Sequence, residues 1–98
     1  MTVYLIAQLT INDRERYRRY AEGFVEIFAK YGGKLLSVDE EPEVLEGDWP
    51  YARTVLLSLP SKEQAEAWYN SAEYQALAQH RLAASSTNLV MIKAREPG

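Results

Sequence analysis

Apolar and polar positions alternate between two periods along the chain. Val3 to Leu9 (VYLIAQL) is a short, β-branched, apolar run that stops at Thr10-Ile11-Asn12-Asp13, where a helical period takes over; it predicts a first strand. Asn12 with Glu15 three positions on has the form of a capping box, which would satisfy orphan backbone N–H groups and place a carboxylate at the positive helix end. Tyr17, Tyr20, Ala21, Phe24, Ile27, Phe28 and Tyr31 then recur at spacings of three and four, giving one aromatic-rich stripe. Gly32-Gly33 supplies the left-handed stop. Lys34 to Val38 predicts a second strand, and the charged Asp39-Glu40-Glu41-Pro42 and irregular Glu46-Gly47-Asp48-Trp49-Pro50 predict connections. Tyr51 to Leu59 is the third strand. Pro60-Ser61 opens a second helix with Ser61 as N-cap and Gln64 in the capping-box position. Ala65, Trp68 and Tyr69 mark its buried face. Ser71 can restart the helix, which Tyr74, Leu77, Ala78 and Leu82 extend until Ser85-Ser86-Thr87 closes it. Asn88 to Ala94 is the last strand, and Arg95 to Gly98 a polar tail.

The order strand, helix, strand, strand, helix, strand is the split βαβ plan: an α+β, ferredoxin-like antiparallel sheet with helices on one face, in a single domain 1–98 with its core at about 3–94. A lone subunit of this kind should alternate to polar residues on its uncovered face. These strands do not: Val3, Leu5, Ala7 and Leu9 lie opposite Tyr4 and Ile6, and Val90 and Ile92 lie opposite Leu89 and Met91. A homodimer packed through the open sheet faces is therefore expected.

Composition narrows the chemistry. The 98 residues suit one domain, and without cysteine there is no disulfide, thiolate metal site, iron–sulfur cluster or thiol nucleophile. One histidine and no glycine-rich phosphate loop make metal, haem and flavin unexpected, so no cofactor is assigned. A net charge of −3 and a pI near 5.1 offer no basic footprint for nucleic acid. The N-terminal run lacks a signal-peptide pattern and no segment approaches a membrane span, so a cytoplasmic protein is expected.

Tyr31-Gly32-Gly33, Glu46-Gly47-x-Trp49, Arg53 and Ala67-Trp68-Tyr69-x-Ser71-x-x-Tyr74-Gln75, with Arg81 and Asn88, resemble the family catalogued as domain of unknown function 1330, a branch of the dimeric α+β barrel superfamily. The resemblance runs from Tyr4 to about Ile92, and its Trp-Tyr-x-Ser-x-x-Tyr segment is the most specific part. It implies a ferredoxin-like subunit, a homodimer whose sheets form a barrel, and a cavity between sheet and helices. It implies no particular activity. The wider superfamily includes cofactor-free monooxygenases, muconolactone isomerases, haem-binding chlorite dismutases and stress-response proteins, and a shared fold does not choose among them.

Several side chains could carry chemistry. His80 is the lone imidazole, a side-chain type suited to general-base work, but it also has the position of a solvated or helix-capping residue. Arg81 offers a rigid donor fork to a carboxylate or phosphate, or a salt bridge to an acidic loop. Arg53 is in phase with Val55, Leu57 and Leu59, so if buried it demands an anion from Glu46, another acidic side chain or a ligand, with Glu46 slightly favoured. Tyr31, Trp49, Trp68 and Tyr74 could line a pocket for a planar ligand, although Trp68 and Tyr74 also follow the core stripe. The acidic run 39–41 reads as a solvated loop, and Ser71, Ser85 and Ser86 as caps and turns. The expected protein binds a small carboxylate or aromatic metabolite through Tyr31, Glu46, Trp49, Arg53, Trp68, Tyr74 and Arg81. One alternative is a cofactor-independent monooxygenase or isomerase using His80, Arg81 or Glu46; the other is a non-catalytic interaction module.

Overall fold

A computed structural model of the chain describes residues 1–95. Its elements run β1 (Val3–Ile11), α1 (Arg14–Lys30), β2 (Lys34–Asp39), β3 (Arg53–Leu59), α2 (Lys62–Asn70), α3 (Ala72–Ala84) and β4 (Ser85–Lys93). The strands form one sheet in the order β2-β3-β1-β4, with every neighbouring pair antiparallel. This is the ferredoxin-like α+β plan. Of the polar tail, residues 96–98 lie outside the described ones.

Register decides which residues meet the helices. Leu9 pairs with Arg53 and Thr87, Ala7 with Val55 and Leu89, and Leu5 with Leu57 and Met91, so these side chains share one face. There Val3, Leu5, Leu9, Leu57 and Leu59 pack with Tyr17, Tyr20, Phe24 and Phe28 of α1, Ala65 and Trp68 of α2, and Tyr74, Ala78 and Ala84 of α3. The other face carries Tyr4, Ile6, Leu56, Val90 and Ile92 in its apolar part, with Val90 and Ile92 exposed in the single chain. Polar groups flank them, among them Gln8, whose side-chain oxygen accepts from Asn88 at 3.1 Å.

Several boundaries differ from the sequence reading for identifiable reasons. The first strand continues to Ile11, which pairs with Ser85, and the N–H groups of Asn12 and Asp13 both donate to the Ala84 carbonyl. Asn12 is thereby tied to the end of α3, and the cap passes to Asp13, whose carboxylate accepts from the Arg16 N–H at 3.1 Å. The same pairing draws Ser85-Ser86-Thr87 into β4 rather than into a closing turn. Residues 51 and 52 precede β3 because the Thr54 hydroxyl donates to the Ala52 carbonyl and accepts from Trp49 Nε1, closing a local loop. Ser71 acts as expected between two helices: its hydroxyl donates to the Trp68 carbonyl at 2.8 Å and accepts from the Tyr74 N–H at 3.1 Å.

Three residues assigned to buried stripes, Ala21, Tyr69 and Leu82, are exposed. On α3 the inward face runs Tyr74, Ala78, Arg81, Ala84, so Arg81 takes the direction that the apolar pattern gave to Leu82, and Leu82 is 58% exposed.

The α1 stop is a Schellman motif: the Gly32 N–H donates to the Ala29 carbonyl and the Gly33 N–H to the Phe28 carbonyl, with Gly32 at φ +79°. Gly33 is required for a different reason. A Cβ there would run into the ring of the fully buried Phe28. Gly33→Ala should lower unfolding stability by about 1–3 kcal/mol, the ordinary cost of overpacking a core; a urea midpoint equal to wild type would show that the turn has slack.

Candidate functional site

The helix face of the sheet is not filled completely. Between it, α1 and α3 lies a cavity of about 110 Å³, floored by Ala7, Leu9, Leu35, Val38, Arg53, Val55, Leu57, Thr87 and Leu89. Its other walls are Tyr17, Tyr20, Ala21, Phe24 and Val25 of α1, Trp68 of α2, and Tyr74 and Arg81 of α3. Aromatic packing fixes these walls: Trp68 and Tyr74 lie 4.2 Å apart between ring centroids, Phe24 meets Trp68 edge-on at 6.1 Å, and Tyr17 and Tyr20 are 5.5 Å apart.

The polar side chains of this wall include no anionic one. It holds two guanidinium groups, three phenols, an indole N–H and a threonine hydroxyl, and no Asp, Glu, His, Asn or Gln. Arg81 is only 7% exposed, and among the described residues no carboxylate pairs with it. Its Cζ stands 5.7 Å from the Tyr20 ring centroid, and the Tyr20 hydroxyl shares a 2.9 Å hydrogen bond with that of Tyr74. Burial, reinforced by the neighbouring Tyr74 oxygen, raises the Tyr20 pKa far above the ordinary phenol value, so Tyr20 stays neutral and supplies Arg81 with no counter-charge. Arg53 stands with its Cζ 5.3 Å from the Tyr17 ring centroid, its Nη1 paired with Glu40.

The sequence candidates therefore divide. Arg53, Trp68, Tyr74 and Arg81 border one cavity. Tyr31 packs half-buried against the core beside the α1 stop and does not border it. Glu46 is exposed in the β2–β3 connection, and Trp49 is tied to Thr54, whose register with Gln8 places it on the open sheet face. His80 also lies off the cavity, accepting at Nδ1 from Arg16 Nε at 3.4 Å.

The Glu46–Arg53 pair is corrected to Glu40–Arg53. Pairing of Asp39 with Thr54 carries the next residue, Glu40, alongside Arg53, so one member of the supposed solvated acidic run holds a guanidinium. Tyr17 and Tyr20 were legible only as core. The available signal was chemical: a buried stripe made of tyrosine rather than phenylalanine brings hydroxyls that need partners.

The family model described as a domain of unknown function, DUF1330, matches residues 2–95. The chain belongs to the DUF1330 family. No curated protein matches it. Among solved structures, this DUF1330 protein is similar to a protein of unknown function from Rhodopseudomonas palustris, with a TM-score of 0.82 at 18% identity over 98% of this chain and 84% of that one. It is similar to SnoaB, a cofactor-independent oxygenase from Streptomyces nogalater, with a TM-score of 0.68 at 14% identity over 98% and 95% of the two chains. A dimeric ferredoxin-like protein of unknown function from Jannaschia sp. CCS1 gives 0.71 at 12% identity over 96% and 100%. At these identities the likeness establishes the fold.

A double-mutant cycle tests the reassigned ion pair. Arg53→Met and Glu40→Gln should couple by about 0.2–1 kcal/mol in urea unfolding, the range for a pair with one exposed partner, whereas Arg53→Met and Glu46→Gln should add without coupling. Coupling to Glu46 instead would restore the pairing expected from sequence.

Proposed function

We propose that this protein is a homodimer that binds a small aromatic or enolic carboxylate in the cavity between sheet and helices. The observation that carries the reading is Arg81, a guanidinium almost wholly buried in an aromatic wall with no carboxylate among the described residues to neutralise it. An unpaired charge in such surroundings is costly, and an anionic ligand relieves that cost while the rings take up its apolar body. Trp68 and Tyr74 are the flat walls of the site, and Arg81 its anchor. Glu46, Trp49, Tyr31 and His80 take no part in the proposed contacts.

Self-association is supported by the apolar strip Tyr4, Ile6, Leu56, Val90 and Ile92 on the uncovered sheet face, and by structurally similar proteins described as dimeric, one from Jannaschia and one from Thermobifida fusca. Val90→Glu places a charge in that strip and should convert a particle of two chains to one of a single chain in sedimentation; a single-chain mass for the wild type would overturn the dimer.

A second reading is favoured by the similarity to SnoaB: oxygenation of the bound anion without a cofactor. Arg81 and the Tyr20–Tyr74 hydroxyls would then stabilise an oxyanion in a site whose rings exclude water. The wall holds no imidazole or carboxylate to act as base, so the substrate would enter already ionised. Oxygen uptake that depends on the protein and is lost in Arg81→Met would support catalysis.

Binding is tested by fluorescence in a Trp49→Phe background, where Trp68 is the remaining indole. Benzoate should change the Trp68 emission saturably, and Arg81→Met should weaken it by roughly 2–5 kcal/mol. Urea unfolding of ligand-free Arg81→Met, which also gives up the contacts of the guanidinium with Tyr20 and Tyr74, separates a loss of binding from a loss of fold. Equal benzoate affinity in Arg81→Met would overturn the proposed site.

A further inference from the structure

Arg81 accounts for one charge on a ligand, yet the cavity wall holds a second guanidinium with an unused donor. Among the described residues, the fully buried side-chain nitrogen or oxygen atoms without a hydrogen-bond partner are Arg53 Nε and Trp68 Nε1, and both residues border this cavity. Each is a donor and neither can accept. Buried donors are normally partnered, and a wall lacking Asp, Glu, His, Asn and Gln side chains offers few acceptors of its own.

Arg53 is the more selective of the two. Its side chain is 19% exposed and borders both the inner cavity and an outer cleft lined by Arg14, Glu40 and Glu41. Glu40 holds Nη1, while Tyr17 lies against the guanidinium. These contacts leave Nε without a partner; the atom is closed off as the side chain stands, and a turn of the guanidinium toward the cavity would present its Nε edge, which meets a carboxylate in two parallel bonds. Trp68 Nε1 is a single neutral donor, and Trp68 also borders a separate hollow beside β4, so it places no demand on ligand charge.

We propose that the ligand is two-headed: an aromatic or enolic acid with one anionic group at Arg81 and a second carboxylate, or an equivalent anionic oxygen group, at the Nε edge of Arg53. The inference rests on the binding reading above and narrows it to diacids. Arg53 then discriminates among carboxylates, whereas Arg81 anchors all of them. Glu40 becomes the group that orients the Arg53 fork from outside rather than a ligand contact.

Calorimetry at neutral pH with benzoate and the three benzenedicarboxylates (phthalate, isophthalate and terephthalate) tests the proposal, since these probes share a ring and differ in the presence and direction of the second head. At least one dicarboxylate should bind at least tenfold tighter than benzoate to the wild-type protein. In Arg53→Met that ratio should fall to about one, and in Arg53→Lys, which keeps the charge but loses the fork, it should fall at least threefold. Arg53→Lys carries the comparison if Arg53→Met does not fold. Benzoate binding with no gain for any dicarboxylate, or a gain that survives loss of the Arg53 fork, overturns the two-headed ligand and leaves the Arg81 site standing. Failure of all four acids to bind overturns the carboxylate reading and this inference together.

Discussion

A guanidinium cannot be buried without an account of its charge. Arg81 sits on the inward face of α3, between Ala78 and Ala84 along the buried stripe, where an aliphatic side chain would pack without cost. Burial works against the charged form, but the Tyr74 and Tyr20 oxygens beside the guanidinium outweigh it and hold the Arg81 proton more firmly than usual. The surroundings adapt to the ion: the Tyr20 ring lies within cation–π distance, and Tyr20 and Tyr74 present oxygens in place of methyl groups. The Tyr20 phenol stays neutral, so its oxygen solvates the charge without cancelling it. That residual charge is what the proposed anionic ligand would neutralise.

The sheet contributes the rest of the arrangement through its period of two. Once Leu9 is fixed on the helix face, its partners Arg53 and Thr87 are fixed there also. Arg53 is thereby brought to the same cavity as Arg81 from the opposite layer, and only the accident of its position at the strand end lets Glu40 reach it from outside. At 14% identity SnoaB shares the layers, and the shared fold does not determine which charges line the space between them.

The sequence exposed the fold more fully than the site, for physical reasons. Strand alternation and the α1 stripe are periodic over many residues, and Ser61, Ser71 and Gly32-Gly33 act locally, so the element order, the helix break at Ser71 and the Schellman stop were all legible. Boundaries that depend on long-range pairing were not. Asn12 gave up the cap to Asp13 because β1 runs on to Ile11, whose partner Ser85 lies seventy-odd positions away in the chain, and the helix starts one residue later. The ion pair was misassigned for a similar reason: proximity in sequence favoured Glu46, while the register between β2 and β3 delivers Glu40. Arg53 stood out as a charge in an apolar phase. Arg81 stood out less, because the apolar pattern of α3 runs as well through Leu82 as through Arg81, and packing against Tyr20 chose between them.

The proposed site is defined by the position of one anion. A crystal structure of the protein grown with benzoate tests it most directly. The predicted result is a benzoate ring against Trp68 and Tyr74 with a carboxylate oxygen about 2.7–2.9 Å from a guanidinium nitrogen of Arg81, the span of a charge-assisted hydrogen bond. Benzoate bound elsewhere, with the cavity closed by side chains and the Arg81 guanidinium turned out to solvent, would contradict it.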